Sequence, residues 1–263
     1  MSGEQEITRS AKAPGIILRH RRPSVAPFDS THRVVAQGGL GAQRHRRPSV
    51  ALALCIAVIY GASALAEQTP RSHGRLFPPQ DLGLLEAPDR DLWQRPDPIM
   101  DAMAIADASV VADVGAGSGW FTVRLARRVG PQGLVFAQDV QPEMLNAISR
   151  RVQREGLVNV RPVLGRGSDP RLPDRTFDAV LVVDAYHEID DPVTMLSNIA
   201  RALKPQGRIG VVDFKLDGIG PGPSLDERVS PDIVVKDAER AGLRLIRQEV
   251  FLPYQYFLIF GAK

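Results

Sequence analysis

Apolar and polar positions divide the chain after residue 108 into short apolar runs separated by amphipathic segments. The run over 177–184 is apolar at almost every position, as expected for a central strand buried on both faces. Four further runs have the length of a strand, at 109–115, 134–139, 159–165 and 208–214. Strands that alternate with helical segments predict a doubly wound, mostly parallel α/β sheet.

Helices are predicted between these strands, where apolar residues recur three or four positions apart. The first covers 120–129 and the last 231–241, and two others open at Pro142 and Pro192, since proline suits the first position of a helix. The helix that opens at Pro192 is expected to carry Leu203 on its apolar face.

The last two apolar runs, at 243–252 and 254–261, are too close together to hold a crossover helix. Parallel neighbours need a connection of a dozen or more residues, whereas antiparallel neighbours need only a short turn. These runs are therefore predicted to form an antiparallel hairpin. Together with the five preceding strands they give an expected sheet of seven strands.

Charge and composition set the first 66 residues apart. The chain has 33 Lys and Arg against 30 Asp and Glu; nine basic and three acidic residues lie up to Ala66, which leaves 24 against 27 for the rest. A mildly acidic body has no electrostatic basis for binding a phosphate backbone, so nucleic acid is not an expected partner. Cys55, the single cysteine, lies in the leader, which excludes a disulfide, a thiolate metal site and a cysteine nucleophile from the body.

The leader has the composition of a targeting segment. Residues 1–48 form a basic segment that is expected to be disordered, and residues 49–66 are largely apolar. The apolar part is either a signal peptide cut after Ala66 or an uncleaved membrane anchor. The protein is then exported to the periplasm or the exterior, or held at a membrane through this segment alone; if the leader is not genuine, it is cytoplasmic.

An exact repeat in the leader leaves the start of translation open. The eight residues 19–26 recur unchanged at 44–51, outside any pattern of a folded element. A duplication outside any folded pattern suggests that translation starts later than Met1. Of the remaining chain, 67–100 is predicted to be an N-terminal extension that covers the substrate side as a lid, and 101–263 to be the main domain.

Candidate chemistry begins with three glycines spaced by two, which join the first predicted strand to the first helix. Gly115, Gly117 and Gly119 lack a Cβ, so the backbone can turn and a ligand can approach it closely, facing the amides of the helix N-terminus. Asp113 adds a carboxylate suited to an ammonium group, and Asp139 ends the next strand, where it can accept both hydroxyls of a ribose. The alternatives are simple turn glycines and a helix-capping Asp139.

Four features together resemble the class I S-adenosylmethionine-dependent methyltransferases over about 98–263. They are the glycine motif from Asp113 to Gly119, the strand-end Asp139, the 178–184 strand with its extension to Glu188, and the turn 203–208 before the fifth strand. That turn is similar to the family's "LKPGG", with Gln206 in place of the first glycine. The resemblance implies a Rossmann-like fold with a terminal hairpin and S-adenosyl-L-methionine as cofactor.

The resemblance also implies roles for individual residues. The glycine loop would contact the methionyl and ribose parts of the cofactor, Asp113 its amino group, and Asp139 with Val140 its ribose. The adenine would lie near Ser168 and Asp169, although an intervening 165–167 segment makes that match loose. The cofactor's sulfonium and the substrate would both be bordered by a set at the end of the fourth strand, namely Asp184, Ala185 and Tyr186.

The methyl acceptor is expected to be a small molecule, because the Asn/Asp-Pro-Pro-aromatic run of nucleic-acid amino methylases is missing after the fourth strand. His187 is the candidate general base, since its ordinary pKa lies near neutrality; alternatively it is a supporting histidine paired with Glu188 or Asp190. Tyr186 is the second candidate catalytic residue, as a wall of the substrate pocket. No metal is expected, because Asp191 followed by Pro192 reads as a helix cap.

Two other functions stay open. A dinucleotide-binding oxidoreductase has the same topology, but its G-x-G-x-x-G motif needs a glycine at position 120, where this chain has Trp120. An acidic strand end such as Asp139 would serve an NAD ribose equally well. The other alternative is a catalytically inactive, secreted binding protein that has kept the methyltransferase scaffold.

Overall fold

The computed structural model describes residues 75–263, and the predicted disordered segment, signal peptide or anchor lies outside them. Seven strands form one sheet in the order β3-β2-β1-β4-β5-β7-β6. Their bounds are β1 (Val110–Val114), β2 (Leu134–Asp139), β3 (Val160–Leu164), β4 (Phe177–Val183), β5 (Leu203–Phe214), β6 (Leu243–Glu249) and β7 (Gln255–Ala262).

The strands β1 to β5 run parallel, and β7 pairs antiparallel with both β5 and β6. The predicted parallel sheet with a terminal hairpin is therefore confirmed. Six helices and two 3₁₀ turns complete the described part of the chain. The helices are α1 (Arg90–Gln94), α2 (Pro96–Ala102), α3 (Trp120–Val129), α4 (Pro142–Arg154), α5 (Pro192–Ala202) and α6 (Pro231–Arg240), and the 3₁₀ turns are Pro79–Glu86 and Tyr186–Glu188.

Local sequence signals account for the helix boundaries. Helix α3 begins after Gly119 and ends before Gly130, both of which have positive φ angles. Helices α4, α5 and α6 each begin with proline, which has no N–H to leave unsatisfied there. Asp191 caps α5, accepting a hydrogen bond from the Thr194 backbone N–H at 3.1 Å, as its position before Pro192 predicted.

The segment 204–207 differs from the prediction. Leu203 starts β5 rather than ending α5, and it pairs with Phe177 of β4, while Arg208 pairs with Ala179. The intervening residues therefore bulge from the strand instead of forming a turn before it. A Cβ at Gly207 would lie 2.7 Å from the Phe177 carbonyl oxygen, so this close approach requires glycine.

The sheet is buried on both faces. Val180 and Val182 of β4 pack with α5 and α6, whereas Leu181 and Val183 pack with α2 and α3 on the other face. This two-sided burial explains why the 177–184 run is apolar at nearly every position. Between residues 75 and 263 no helix is long and apolar enough to span a bilayer.

Candidate functional site

A cavity of about 830 Å³ lies at the carboxyl ends of the parallel strands. The residues that follow β1, β2 and β4 line it, as does Phe214 at the end of β5. This is the edge at which the strand order reverses between β1 and β4, where open α/β sheets bind ligands. The cavity volume lies within the range of small-molecule sites.

The glycine loop after β1 forms one side of this cavity. Gly115 and Gly117 line it with φ angles of 72° and 54°, and the N–H groups of Gly115 and Ala116 both donate to the Gln138 carbonyl at 2.9 Å. A Cβ at Gly115 would lie 2.4 Å from the Cβ of Ala185, so glycine is required there. Gly119 does not line the cavity; its Cα faces Ile148 of α4, and its role is in packing.

Asp139 lies beside the glycine loop, with its side chain fixed by two backbone donors. Its Oδ1 accepts from the Gln141 N–H at 2.9 Å and its Oδ2 from the Gly117 N–H at 3.0 Å. Burial raises the pKa of this carboxyl, and these hydrogen bonds oppose the rise. Asp139 and Val140 both line the cavity, so the strand-end carboxylate faces any ligand held by the loop.

Asp113 is buried beneath the glycine loop rather than in the main cavity. Its Oδ2 accepts a hydrogen bond from Thr122 Oγ1 of α3 at 2.6 Å, which supplies the partner that a carboxylate in an apolar strand needs. Burial raises its pKa to about 6. Asp113 lines a small side pocket of about 50 Å³ together with Gly115, Gly117 and Arg90.

Asp184 lines the main cavity in a left-handed conformation with φ of 57°. Its Oδ2 lies 2.7 Å from Nη2 of Arg90 in α1, and its Oδ1 accepts a hydrogen bond from Gln255 Nε2. Burial raises the pKa of Asp184 to about 6, whereas Arg90 lowers it. The predicted position at the cavity is correct, but the ion pair was not predicted.

Arg90 is a functional candidate that sequence reasoning missed. The side chain is buried, donates to the Leu85 carbonyl at 2.6 Å and to Gln94 Oε1 at 2.9 Å, and lies 4.3 Å from the Trp120 ring centroid. It lines both the main cavity and the side pocket. No local sequence signal marks it, because its partner Asp184 is 94 residues away.

His187 lines the cavity and is held by Asp213, a second residue that sequence reasoning missed. The ring Nδ1 lies 3.0 Å from both carboxylate oxygens of Asp213, and the His187 backbone N–H donates to Oδ2 at 3.1 Å. Nε2 lies 3.8 Å from Oε1 of Glu188, the partner that the sequence suggested. The Nδ1–H tautomer is therefore favoured, which leaves Nε2 to exchange a proton.

The pKa of His187 departs from the ordinary near-neutral value of histidine. Burial alone would lower it, but the hydrogen bond and charge of Asp213, followed by the charge of Glu188, raise it to about 9. Glu188 also lines the cavity, and burial raises its pKa to about 7. Within residues 75–263 no group of three or more His, Cys, Asp or Glu side chains is arranged to hold a metal ion.

Tyr186 does not form a wall of the cavity, and that expectation is wrong. Its side chain is buried in the core, where the hydroxyl donates to Oδ2 of Asp237 in α6 at 2.9 Å. The 3₁₀ turn after β4 therefore directs Tyr186 and His187 to different sides.

Ser168 and Asp169, which the resemblance places near the adenine, lie outside the cavity lining. The neighbouring Gly167 does line it. Oδ1 of Asp169 accepts from the Arg171 N–H at 2.9 Å, and its backbone is bridged to that of Arg166. These local bonds hold the Asp169 carboxylate within the turn formed by residues 166–171.

The N-terminal extension contributes part of the cavity lining. Leu85 packs against the glycine loop, and the Phe77 N–H donates to Oε2 of Glu188 at 3.3 Å. Besides the Arg90–Asp184 pair, two ion pairs fasten the extension to the domain, Arg124 with Asp91 at 2.7 Å and Arg151 with Glu86 at 2.6 Å. The segment predicted as a lid thus contributes directly to the site.

Comparison with known proteins finds methyltransferases similar to this chain. Residues 111–207 match the model of a methyltransferase domain. The chain is 30% identical over 141 residues to the ubiquinone/menaquinone biosynthesis C-methyltransferase UbiE of Pasteurella multocida, covering 53% of each chain. It is 37% identical over 115 residues to the nocamycin O-methyltransferase of Saccharothrix syringae, covering 44% of this chain and 39% of that protein.

A solved structure covers more of the fold. The chain is similar to a SAM-dependent methyltransferase from Aquifex aeolicus with 29% identity and a TM-score of 0.67, over 70% of this chain and 98% of the other. The chain spans about half or less of the length of the two curated relatives named above. Residues 111–207 thus match a methyltransferase domain, and the sheet with its terminal hairpin has the fold of the class I S-adenosylmethionine-dependent methyltransferases.

Proposed function

We propose that this protein transfers a methyl group from S-adenosyl-L-methionine to a small-molecule acceptor. The observation that carries the proposal is Asp139, whose carboxylate is oriented by the Gly117 and Gln141 amides in a cavity that His187 also lines. The names of the two curated relatives, one a C-methyltransferase and the other an O-methyltransferase, support the reaction class.

The residues of the cavity fit the proposed cofactor. A carboxylate at the end of β2 suits the vicinal hydroxyls of its ribose, and the glycine loop allows close approach of its backbone amides. Arg90 provides a cation for the carboxylate of the amino-acid part, and Asp113 a buried anion beneath the same loop for its ammonium group. Opposite charges held in a buried site favour a zwitterionic ligand.

Bound S-adenosylmethionine supplies a methyl group on a sulfonium; the acceptor's lone pair forms the new bond, and the electrons of the broken C–S bond stay on sulfur as a thioether. The protein's contribution is to align the acceptor and exclude water, which is worth up to about 7–11 kcal/mol in favourable intramolecular reactions. The extension serves this purpose, because Phe77 and Leu85 close the cavity over the strand ends.

His187 is the group placed to take a proton from the acceptor. Asp213 fixes the Nδ1–H tautomer, so the acceptor's proton would pass to Nε2 as its lone pair attacks the methyl group. The raised pKa matches this ring to weakly acidic oxygens, since the phenol of tyrosine has an ordinary pKa of about 10. Because its pKa is raised to about 9, the capacity of the ring as a base grows as the pH rises.

A nicotinamide-dependent oxidoreductase is disfavoured by the residue at position 120. Trp120 starts α3, and the guanidinium carbons of Arg90 and Arg124 lie 4.3 and 3.5 Å from the centroid of its ring. This stack occupies the helix start where a dinucleotide site needs a third glycine for close packing.

The proposal is tested by incubating the full chain with S-adenosylmethionine labelled in the methyl group and with panels of phenols, amines and thiols. Transfer of label to any panel, abolished in the Asp139→Ala variant, is the expected result. Tight binding of the cofactor without transfer would instead favour the binding-protein alternative. Transfer that persists unchanged in Asp139→Ala would contradict the site assignment.

A further inference from the structure

One end of the cavity is an aromatic corner. The Trp93 ring lies 6.3 Å from both the Phe214 and the Tyr254 rings, and Trp93 and Phe214 line the cavity. The loop after β5 covers these rings: a Cβ at Gly220 would lie 2.4 Å from the Tyr254 ring, and one at Gly222 would lie 2.6 Å from the Phe214 ring. The loop backbone therefore packs against the Tyr254 and Phe214 rings and fixes the corner, in which Trp93 is tilted by 47° to Phe214 and by 60° to Tyr254. Trp93 and Phe214 present aromatic surface to the cavity, which suits an aromatic ligand.

Exposed leucines border the same cavity. Leu76 and Leu84 of the extension line it, although their side chains are 48% and 75% exposed. The loop that supplies Pro221 and Pro223 to the lining also carries Ile219 and Leu225, both exposed. Apolar side chains concentrated around a cavity mouth are a common sign of a ligand that covers them.

A polar group lies within the same lining. His187, with Nδ1 bonded to Asp213, presents Nε2 as its remaining ring nitrogen for an acceptor oxygen. The lining thus combines the His187 ring with an aromatic corner and an apolar mouth. Each of these three parts matches a different part of a single amphiphilic molecule.

Resting on the proposed function, we propose that the acceptor is an amphiphile: a planar ring with a weakly acidic oxygen, carrying a hydrocarbon tail. The ring lies in the aromatic corner with its oxygen toward His187, and the tail leaves the cavity across Leu76 and Leu84. The tail contributes affinity by leaving water, so binding is tighter for acceptors with longer tails until the tail passes the mouth.

The test is a series of 4-alkylphenols from ethyl to octyl, titrated by calorimetry into the full chain in the presence of S-adenosylhomocysteine. Affinity is expected to rise up to roughly fourfold for each added methylene that is buried. Leu84→Asp should weaken binding of 4-octylphenol at least tenfold and leave 4-ethylphenol unchanged. The matched control is Leu92→Asp, an 81% exposed leucine of the same extension that does not line the cavity.

Equal affinity along the series, or equal effects of Leu84→Asp and Leu92→Asp, would overturn the proposal. A separate titration with S-adenosylmethionine distinguishes this failure from failure of the proposed function. Affinity that depends on tail length, without binding of S-adenosylmethionine, would support the amphiphile site and contradict the proposed methyltransferase function. Binding of S-adenosylmethionine, without any dependence of affinity on tail length, would support the proposed function and contradict the amphiphile site.

Discussion

Nη2 of Arg90 lies 2.7 Å from Oδ2 of Asp184, and this ion pair joins the N-terminal extension to the end of the central strand β4. Both side chains are largely buried, at 9% and 13% exposure. A pair in such a setting is costly to break, because the remaining charge has no water to stabilise it. The extension is thereby part of the folded domain and of the cavity.

Arg90→Ala is expected to lower the free energy of unfolding by about 3–5 kcal/mol, as for other broken buried pairs. The double variant Arg90→Ala/Asp184→Asn should recover part of this loss, because it removes the unpaired carboxylate. Urea denaturation of the two single variants and the double variant measures the coupling. Additive effects of the single variants would show that the pair makes no specific contribution.

Asp113→Asn is expected to stabilise the protein at neutral pH while weakening cofactor binding. Burial raises the folded-state pKa of Asp113 to about 6, so the folded state holds this proton more tightly than the unfolded chain does. The free energy of unfolding of the wild type therefore falls by an amount on the order of 2–3 kcal/mol as pH rises from about 4 to about 6. Asp113→Asn should not show this fall.

The measurement is the free energy of unfolding against pH for both proteins. Asp174→Asn is the control, since that carboxylate is 61% exposed. Because burial also raises the pKa of Asp184, the quantity to compare is the difference between variant and wild type. A constant difference from pH 4 to pH 8 would contradict the assignment of the proton to Asp113.

Methyl transfer to a weakly acidic acceptor is expected to rise with pH up to about 9. The neutral form of His187 is the one that can accept a proton, and Asp213 raises its pKa to about 9. Asp213→Asn removes that charge, so the rising limb should move to lower pH while the maximal rate falls. Glu188→Gln should move the limb in the same direction by less, because its charge has a smaller effect than Asp213.

An NMR titration of the His187 ring in the same variants separates a proton effect from loss of packing. The expected result is a lower His187 pKa in Asp213→Asn, in step with the rate profile. If the rising part of the pH–rate profile is unchanged in Asp213→Asn, His187 is not the titrating group.

The strands and helices of the domain were predictable because their signals are local. An unbroken apolar run marks β4, and Pro142 and Gly156 bound the α4 segment from sequence alone. The same holds for Asp139, since a strand end next to a glycine loop fixes its position. The bulge at 204–207 was missed because it depends on the close approach of Gly207 to Phe177.

The partners within the site were not predictable in the same way. Arg90 and Asp213 act through contacts with residues far along the chain, and a single sequence carries no record of those contacts. Tyr186 and His187 are adjacent in sequence, yet the 3₁₀ turn sends one into the core and the other to the cavity. Sequence proximity to the end of β4 placed both near the site but could not give their directions.

Cleavage after Ala66 is expected if the apolar segment 49–66 is a signal peptide. N-terminal sequencing of the protein recovered from the exported fraction of its host measures this directly. A mature chain that begins at Glu67 would support export. A chain that begins within 1–66 and stays with the membranes would indicate an anchor, and an initiation site after Met1 would appear as a shorter cytoplasmic chain.

The most direct test of the account is calorimetric titration of the full chain with S-adenosyl-L-methionine, using Asp139→Ala and Asp169→Asn as paired variants and NAD as a competitor. We expect micromolar binding that NAD does not compete with. Binding should be weakened at least tenfold in Asp139→Ala and unchanged in Asp169→Asn, because the Asp169 carboxylate bonds within its own turn. Absence of binding, or displacement of the ligand by NAD, would contradict the assignment of this cavity as a methyltransferase cofactor site.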